Sequence, residues 1–273
     1  MKNIIKNFIK NILPKKIINI FYEYKYSTVK YFGPYSRWQD AEANSTGWSD
    51  KRILEKVKKN IIVSIKNPNI YERDGELLND GQYPKKIVDF LNLNLAENDE
   101  IIDFGGSLGS LYFQIRSKLN IKKINWIIIE QNNFVNASKE IIKSDELFFF
   151  NDYLDLKNFN PSILILSSVL QYLKNPKEIL KNLIENNNIK HIIVDRIVLS
   201  DSKTDKIYIQ KNPRKYFKTS YPIRIFSGSE LFKDYFLNFR LIHKSPSYIG
   251  KNFELDGNKL NYCNIILSRI DNN

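Results

Sequence analysis

The sequence contains little of what disulfide or metal chemistry requires. Its 273 residues include one cysteine, Cys263, and two histidines, His191 and His243. A single cysteine cannot form an internal disulfide, and these three side chains lack the spacing of a metal-ligand cluster. No apolar run approaches the roughly 18 residues that a membrane-spanning helix needs. We therefore expect a cytoplasmic protein without a metal, whose membrane contact is at most peripheral.

The charge is strongly positive but unevenly distributed. The formal net charge is +12, and residues 1–30 alone contain seven lysines and one glutamate. Half of the excess therefore lies in an N-terminal tail. The remainder has no dense patch of arginine and lysine interleaved with aromatic residues, so nucleic acid is not favoured as a partner.

The tail, residues 1–30, has the pattern of a short basic amphipathic helix that is interrupted at Pro14. Lys2, Lys6 and Lys10 fall on one face, and the opposite face carries Ile4, Ile5, Phe8, Ile9 and Ile12. Such a helix either lies on an anionic membrane surface or packs on the body of the protein itself. Residues 31–95 show helical periodicity with turn signals, which predicts a helical cap before the core.

The core begins with a short apolar strand, residues 100–104, which is followed directly by the glycine-rich sequence Gly105-Gly106-Ser107-Leu108-Gly109. Glycines at a tight strand-to-helix turn allow positive φ and the close approach of a ligand to backbone N–H groups. A serine at position 107 can occupy such a turn with a negative φ, although its side chain can crowd a bound cofactor. A dinucleotide fingerprint would need glycine where Phe104 stands, so a nicotinamide cofactor is not favoured.

The next two predicted strands also end in acidic residues. Residues 124–130 read as a buried parallel strand that ends in Glu130, 21 residues after Gly109. A carboxylate there can accept hydrogen bonds from both hydroxyls of a ribose, or it can be a solvated acid at a strand end. Residues 147–150 form the third strand, and Asp152 after it either contacts an adenine amino group or caps a turn.

Four more strands complete the pattern, at residues 162–168, 191–194, 239–244 and 262–269, with the last two forming an antiparallel hairpin. Ser227-x-x-Glu230 predicts a capping box for the helix before that hairpin. Residues 96–273 are thus predicted to form a Rossmann-like α/β domain with a seven-stranded sheet. The connection after the fifth strand is longer than a compact one, so we predict a lid insertion at about residues 197–226.

This order of motifs resembles class I methyltransferases, and in detail a family of S-adenosylmethionine-dependent methyltransferases whose members commonly occur among bacterial surface-polysaccharide genes. The resemblance covers roughly residues 30–240. It is carried by Phe32 to Trp38, Ser45 to Trp48, Asp103 to Ser110 with Tyr112-Phe113, Glu130-Gln131, Ser168 to Leu173, Asp195-Arg196, Ser220 to Pro222 and Ile225 to Ser227. Ser107 departs from the family pattern, which more often has glycine.

The resemblance implies S-adenosylmethionine as the cofactor. The residues expected to bind it are Asp103, Gly105, Gly106, Ser107, Gly109, Glu130, Gln131, Asp152 and Ser168. For catalysis we expect Asp195 as a general base or an acceptor-orienting group, Arg196 as a partner for an anionic substrate, and Tyr221 from the insertion. An alternative is that Asp195 and Arg196 form a structural pair.

The predicted function is O-methylation of a sugar or sugar-linked group during surface-polysaccharide biosynthesis, with a nucleotide- or lipid-linked glycan as acceptor. Two alternatives remain open at this point. One is a methyltransferase that acts on another small metabolite or on RNA, and the other is a non-catalytic scaffold that keeps the fold.

Overall fold

The computed structural model describes residues 29–47, 51–79, 83–212, 219–248 and 252–270. The predicted tail helix lies outside the described residues. The described strands are β1 (Lys30–Tyr35), β2 (Ile70–Arg73), β3 (Glu76–Asn79), β4 (Glu100–Phe104), β5 (Asn125–Ile129), β6 (Leu147–Phe150), β7 (Ile163–Ser167), β8 (His191–Ser200), β9 (Lys206–Lys211), β10 (Ser220–Ser227), β11 (Phe239–Pro246), β12 (Phe253–Leu255) and β13 (Asn258–Arg269). The described α-helices are α1 (Trp38–Ala43), α2 (Lys51–Lys66), α3 (Lys85–Asn94), α4 (Ser110–Ile115), α5 (Asn132–Ile141), α6 (Pro176–Glu185) and α7 (Glu230–Tyr235).

The centre of the fold is a sheet in which β6, β5, β4, β7 and β8 are neighbours and parallel. β13 pairs antiparallel with β8, and β11 pairs antiparallel with β13. The chain moves outward from β4 in one direction through β5 and β6, and in the other through β7 and β8. This reversal of strand order at β4 is the topological switch point of a Rossmann-like sheet. The predicted α/β fold is therefore confirmed.

Helices cover both faces of this sheet, which explains why its parallel strands are apolar almost throughout. In β5, Ile127 and Ile129 belong to the core beneath α6 and α7, whereas Trp126 and Ile128 face the core beneath α3 and α4. Successive side chains of a strand point to opposite faces, so one short apolar run supplies both cores. In the described part of the chain, no helix is long and apolar enough to cross a membrane.

The prediction of a purely helical cap over residues 31–95 is wrong. This region contains α1, α2 and α3, but β1 pairs antiparallel with β9, and β2 and β3 form a separate hairpin. The hairpin turn is Asp74-Gly75, and both residues have positive φ, 51° and 76°. An Asp-Gly pair in that conformation closes a two-residue hairpin, and this signal was present in the sequence.

The described part of the insertion after the fifth strand belongs to the sheet. β8 continues past the predicted end at Val194 to Ser200, because residues 197–199 are apolar and fully or almost fully buried. β9 and β10 then pair antiparallel and extend the sheet, with β1 at the outer edge. Residues 213–218, which include Arg214 and Tyr216, lie outside the described residues. The capping box is also absent, since Ser229 is the N-cap residue of α7 and makes no side-chain cap.

Candidate functional site

A cavity of about 870 Å³ lies at the carboxyl ends of the parallel strands. This is where ligands bind in open α/β sheets, beside the switch point. Ten of the residues predicted for the site line it: Asp103, Gly105, Gly106, Ser107, Glu130, Gln131, Asp152, Ser168, Arg196 and Tyr221. Gly109 and Asp195 do not line it. The cavity therefore brings together most of the residues selected from the sequence.

The turn after β4 leaves no room for side chains. A Cβ on Gly105, which has a φ of +73°, would lie 2.5 Å from Cγ2 of Val169, and a Cβ on Gly106 would lie 2.6 Å from the carboxyl carbon of Asp103. Both positions therefore require glycine. Gly109 differs from the prediction, because its φ of +86° at the N-terminus of α4 gives it a backbone role rather than a place in the cavity wall.

Besides Asp74 in the hairpin turn, three residues other than glycine that line this cavity adopt left-handed backbone conformations. They are Ser107 (φ 57°), Ser168 (φ 56°) and Arg196 (φ 57°). Ser107 therefore does not take the negative φ that is open to a serine in such a turn. Such conformations cost of order 1 kcal/mol each and concentrate at functional sites, where the surrounding structure holds them. Each follows or interrupts a strand of the central sheet, so all three shape the same wall.

Two predicted cofactor carboxyls lie in surroundings of low polarity. Asp103 is fully buried, and its Oδ2 accepts a hydrogen bond from Nε1 of Trp126 at 3.1 Å. Its Oδ1 has no hydrogen-bond partner among the described residues. Burial raises the pKa of Asp103 to about 7, against the opposing effect of the Trp126 hydrogen bond. Desolvation likewise raises the pKa of Glu130 to about 7.

Asp152 has one of the two roles that the sequence left open, because it caps a turn. Its Oδ1 accepts a hydrogen bond from the backbone N–H of Leu154 at 2.9 Å and thereby caps a short 3₁₀ turn. Asp152 also lines the cavity. Capping fixes the carboxylate where it faces the cavity, so the structural role does not exclude contact with a ligand.

Asp195 is placed behind the cavity wall and not in it. Its side chain is 1% exposed, accepts a hydrogen bond from Ser167 Oγ at 2.8 Å, and lies 3.3 Å from Nε of Arg196. Burial raises its pKa. Asp195 is not among the residues that line the cavity, and its contacts favour the alternative, a structural pair with Arg196. Its role as a general base stays a prediction.

Arg196 connects the sheet to the β2–β3 hairpin. Its Nη2 donates to Ser167 Oγ at 3.2 Å, and its Nη1 donates to Oδ2 of Asp74 at 3.3 Å. With Asp195 on its other side, the guanidinium is held between two carboxylates. This position limits how much of its charge is available to an anionic ligand.

Tyr221 lies at the end of the cavity that the β9–β10 extension forms. Its ring packs edge-to-face on Tyr172 with centroids 5.5 Å apart, and its hydroxyl accepts a hydrogen bond from Nδ2 of Asn212. The Tyr172 hydroxyl donates to Oε1 of Gln210 at 3.0 Å. Burial raises the pKa of Tyr221 to about 12, so the phenol stays protonated at neutral pH and acts through hydrogen bonding and ring contact.

The sequence reasoning missed Glu72, which lies on β2 and lines the cavity. Its side chain is almost completely buried and accepts hydrogen bonds from the backbone N–H of Gly75, at 2.7 Å, and from the hydroxyl of Ser110. Desolvation raises its pKa to about 7. No local pattern marked this residue, because its position depends on how the hairpin packs against α4. No group of His, Cys, Asp and Glu side chains within the described ranges could hold a metal ion.

Comparison with known proteins gives similarity at the level of structure. No protein-family model and no curated protein matches the sequence. The solved structure of the glycopeptide N-methyltransferase MtfA with S-adenosylmethionine is 8% identical and covers 68% of this chain and 93% of its own, with a TM-score of 0.47. A methyltransferase from Methanosarcina mazei is 16% identical; the match covers 69% of this chain and 98% of that protein, with a TM-score of 0.47. An amino pentose methyltransferase from Micromonospora echinaspora is 9% identical; the match covers 68% of this chain and 89% of that protein, with a TM-score of 0.41. Identities this low leave the roles of individual residues to be argued from the geometry of this chain.

Substitution of Gly105 by alanine should show how tightly the turn is packed. We expect a loss of about 3 kcal/mol in the free energy of unfolding, because the strain of positive φ adds to the overlap with Val169. Gly257 is a matched control, since its φ is +72° and nothing lies within 4 Å of an added Cβ. Its alanine variant should lose only about 1 kcal/mol in urea unfolding. Equal losses would contradict the packing argument.

The raised pKa of Glu130 predicts a pH-dependent effect on stability. Because the folded-state pKa of about 7 exceeds the ordinary value of 4.5, the folded protein binds this proton more tightly than the unfolded chain. The stability from this carboxyl is then present at low pH and is lost as the pH rises from about 4.5 to about 7.

Glu130→Gln removes this titration. The variant should gain about 2 kcal/mol relative to wild type between pH 5 and pH 8, measured by urea unfolding at each pH. Glu185→Gln, at an exposed position on α6, is the control variant measured at the same pH values. A pH-independent effect of Glu130→Gln would show that the carboxyl is well solvated.

Proposed function

We propose that this protein is an S-adenosylmethionine-dependent methyltransferase that O-methylates a sugar or sugar-linked group in the biosynthesis of a bacterial surface polysaccharide. The observation that carries the proposal is the cavity at the switch point, where Glu130 lies beside a turn whose first two positions, Gly105 and Gly106, have no room for a side chain. Gly105 N–H bonds to the carbonyl of Ile129, so the turn and Glu130 are adjacent. A carboxylate next to an exposed backbone turn suits a nucleoside ribose.

The residues present fit this cofactor. Glu130 would accept the ribose hydroxyls and Asp152 would face the adenine amino group, and both line the cavity together with Gly105 and Gly106. The unpartnered Oδ1 of Asp103 offers a further acceptor. When bound, the cofactor supplies a methyl group on a sulfonium. The protein then has to orient the acceptor and exclude water.

The other end of the cavity supports a sugar as acceptor. It is lined by Tyr172, Tyr221, Gln210, Asn212 and Thr219. Aromatic rings with amide and hydroxyl groups around them suit a polyol, whose C–H face stacks while its hydroxyls are hydrogen bonded. Arg196 is already held between Asp74 and Asp195. The arrangement therefore favours an uncharged sugar ring inside the cavity, with any nucleotide or lipid phosphate outside it.

Calorimetric titration with S-adenosylmethionine and S-adenosylhomocysteine tests the proposal. We expect micromolar affinity that Glu130→Ala weakens at least about tenfold, or roughly 1.4 kcal/mol, because two ribose hydrogen bonds are lost. Glu185→Ala is the control and should bind as wild type does. Absence of binding by folded wild-type protein would refute the methyltransferase proposal, and binding without turnover on a panel of sugars and sugar nucleotides would favour a scaffold.

We also propose that the basic tail brings the cavity to an anionic membrane surface. Val29, the first described residue, is 41% exposed and lines the cavity. Phe32 on the edge strand β1 is exposed as well, and Nζ of Lys211 lies 5.9 Å from its ring. The tail and the rest of the chain are both positively charged. Charge therefore opposes packing of the tail on the protein and favours an anionic lipid surface.

Sedimentation with vesicles tests the membrane proposal. Wild type should bind phosphatidylcholine vesicles that contain phosphatidylglycerol and should not bind pure phosphatidylcholine. Reversing Lys2, Lys6 and Lys10 to glutamate should weaken binding by at least about a hundredfold, since each lysine near an anionic surface contributes about 1 kcal/mol. The same reversal at the exposed residues Lys139, Lys157 and Lys181 is the control. Equal effects of the two triple variants would show that net charge alone is responsible.

A further inference from the structure

The buried carboxyl of Glu72 has only neutral partners. Its two oxygens accept hydrogen bonds from the Ser110 hydroxyl and the Gly75 backbone N–H. Within the described ranges it forms no ion pair with a lysine or arginine, although Arg196 exerts a weaker, more distant attraction. A buried carboxylate without a counter-ion is costly, so proteins either protonate such a group or pair it.

Other carboxyls that line the cavity are desolvated in the same way as Glu72. Glu72, Asp103 and Glu130 all line it, and in each case burial is the largest cause of a raised pKa. The protein has a formal net charge of +12, and yet carboxyls outnumber guanidinium groups in the lining of this cavity. The acidic residues are Glu72, Asp74, Glu76, Asp103, Glu130 and Asp152, and the basic ones are Arg73 and Arg196. A cationic ligand would restore the ionised state of these groups at neutral pH. The local charge therefore favours a cation even though the global charge does not.

The carboxyls of Glu130 and Glu72 lie at opposite ends of the glycine turn. Gly105, at the start of the turn, is hydrogen bonded to the strand end that carries Glu130. Ser110, directly after the turn, is hydrogen bonded to Glu72. If the cofactor ribose is on Glu130, its remaining atoms extend along the turn towards Glu72. The positive groups of S-adenosylmethionine belong to that remaining part.

We propose that Glu72 is the counter-ion of the cofactor sulfonium and makes the site prefer the methyl donor to its demethylated product. This inference rests on the proposed function and adds a determinant of specificity to it. The product has an uncharged sulfur, so transfer of the methyl group removes the cation that Glu72 stabilises. Glu72 then promotes release of the product, and binding of the donor near neutral pH releases the proton of Glu72.

Paired titrations with S-adenosylmethionine and S-adenosylhomocysteine test this role. At pH 8, Glu72→Gln should weaken binding of the donor about tenfold and change binding of the product by less than about twofold, because only the donor carries the sulfonium charge. Glu72→Asp keeps the charge and should keep the preference for the donor. Glu185→Gln is the control on an exposed carboxyl.

Proton release provides a second readout that a purely structural role would not change. Titrations at pH 7 in two buffers with different ionisation enthalpies should show more protons released on donor binding than on product binding. Glu72→Gln should abolish that difference. Equal weakening of both ligands, or a difference in proton release that survives in Glu72→Gln, would overturn the inference. If wild type binds neither ligand, the proposed function fails first, so the two failures are distinguishable.

Discussion

The site depends on close packing at the turn between β4 and α4. Because Gly105 has no Cβ, Val169 can approach the turn from the end of β7, and because Gly106 has none, the Asp103 carboxyl can fold beneath it. β4 pairs in parallel with both β5 and β7, so the same strand fixes the positions of Glu130 and Ser168. The shape of the cavity thus follows from one turn that excludes side chains.

The same packing determines the electrostatics of the cavity. Desolvation is what places the pKa values of Glu72, Asp103 and Glu130 near 7, and hydrogen bonds from neutral donors only partly offset it. The lysines that give the chain its net charge are spread over the surface or lie in the tail. Screening by water and salt weakens their effect on a cavity that is largely shielded from solvent. The ligand class is therefore better inferred from the carboxyls inside than from the charge of the whole chain.

Sequence reasoning succeeded where the signal was local. Short apolar runs that end in a turn predicted β4, β5, β6 and β7, and with them the positions of Asp103, Glu130 and Asp152. It failed where pairing was distant, as in β1, where Phe32 pairs with Ile209. Asp195 was expected at a strand end, but β8 continues to Ser200 and buries it. Glu72 could not be found because only tertiary packing brings its hairpin to the cavity.

The contacts of Asp195 and Arg196 favour a structural role for this pair, which the sequence had suggested as catalytic. Asp195 holds Arg196, and Arg196 donates to Asp74 at the tip of the hairpin that carries Glu72. Arg196 achieves this with a left-handed backbone inside a strand, a conformation that the surrounding sheet must stabilise. The strain positions a guanidinium to tie the hairpin to the sheet. Asp195 therefore acts as a positioning residue behind the cavity wall, whereas Arg196 ties the hairpin to the sheet and also lines the cavity.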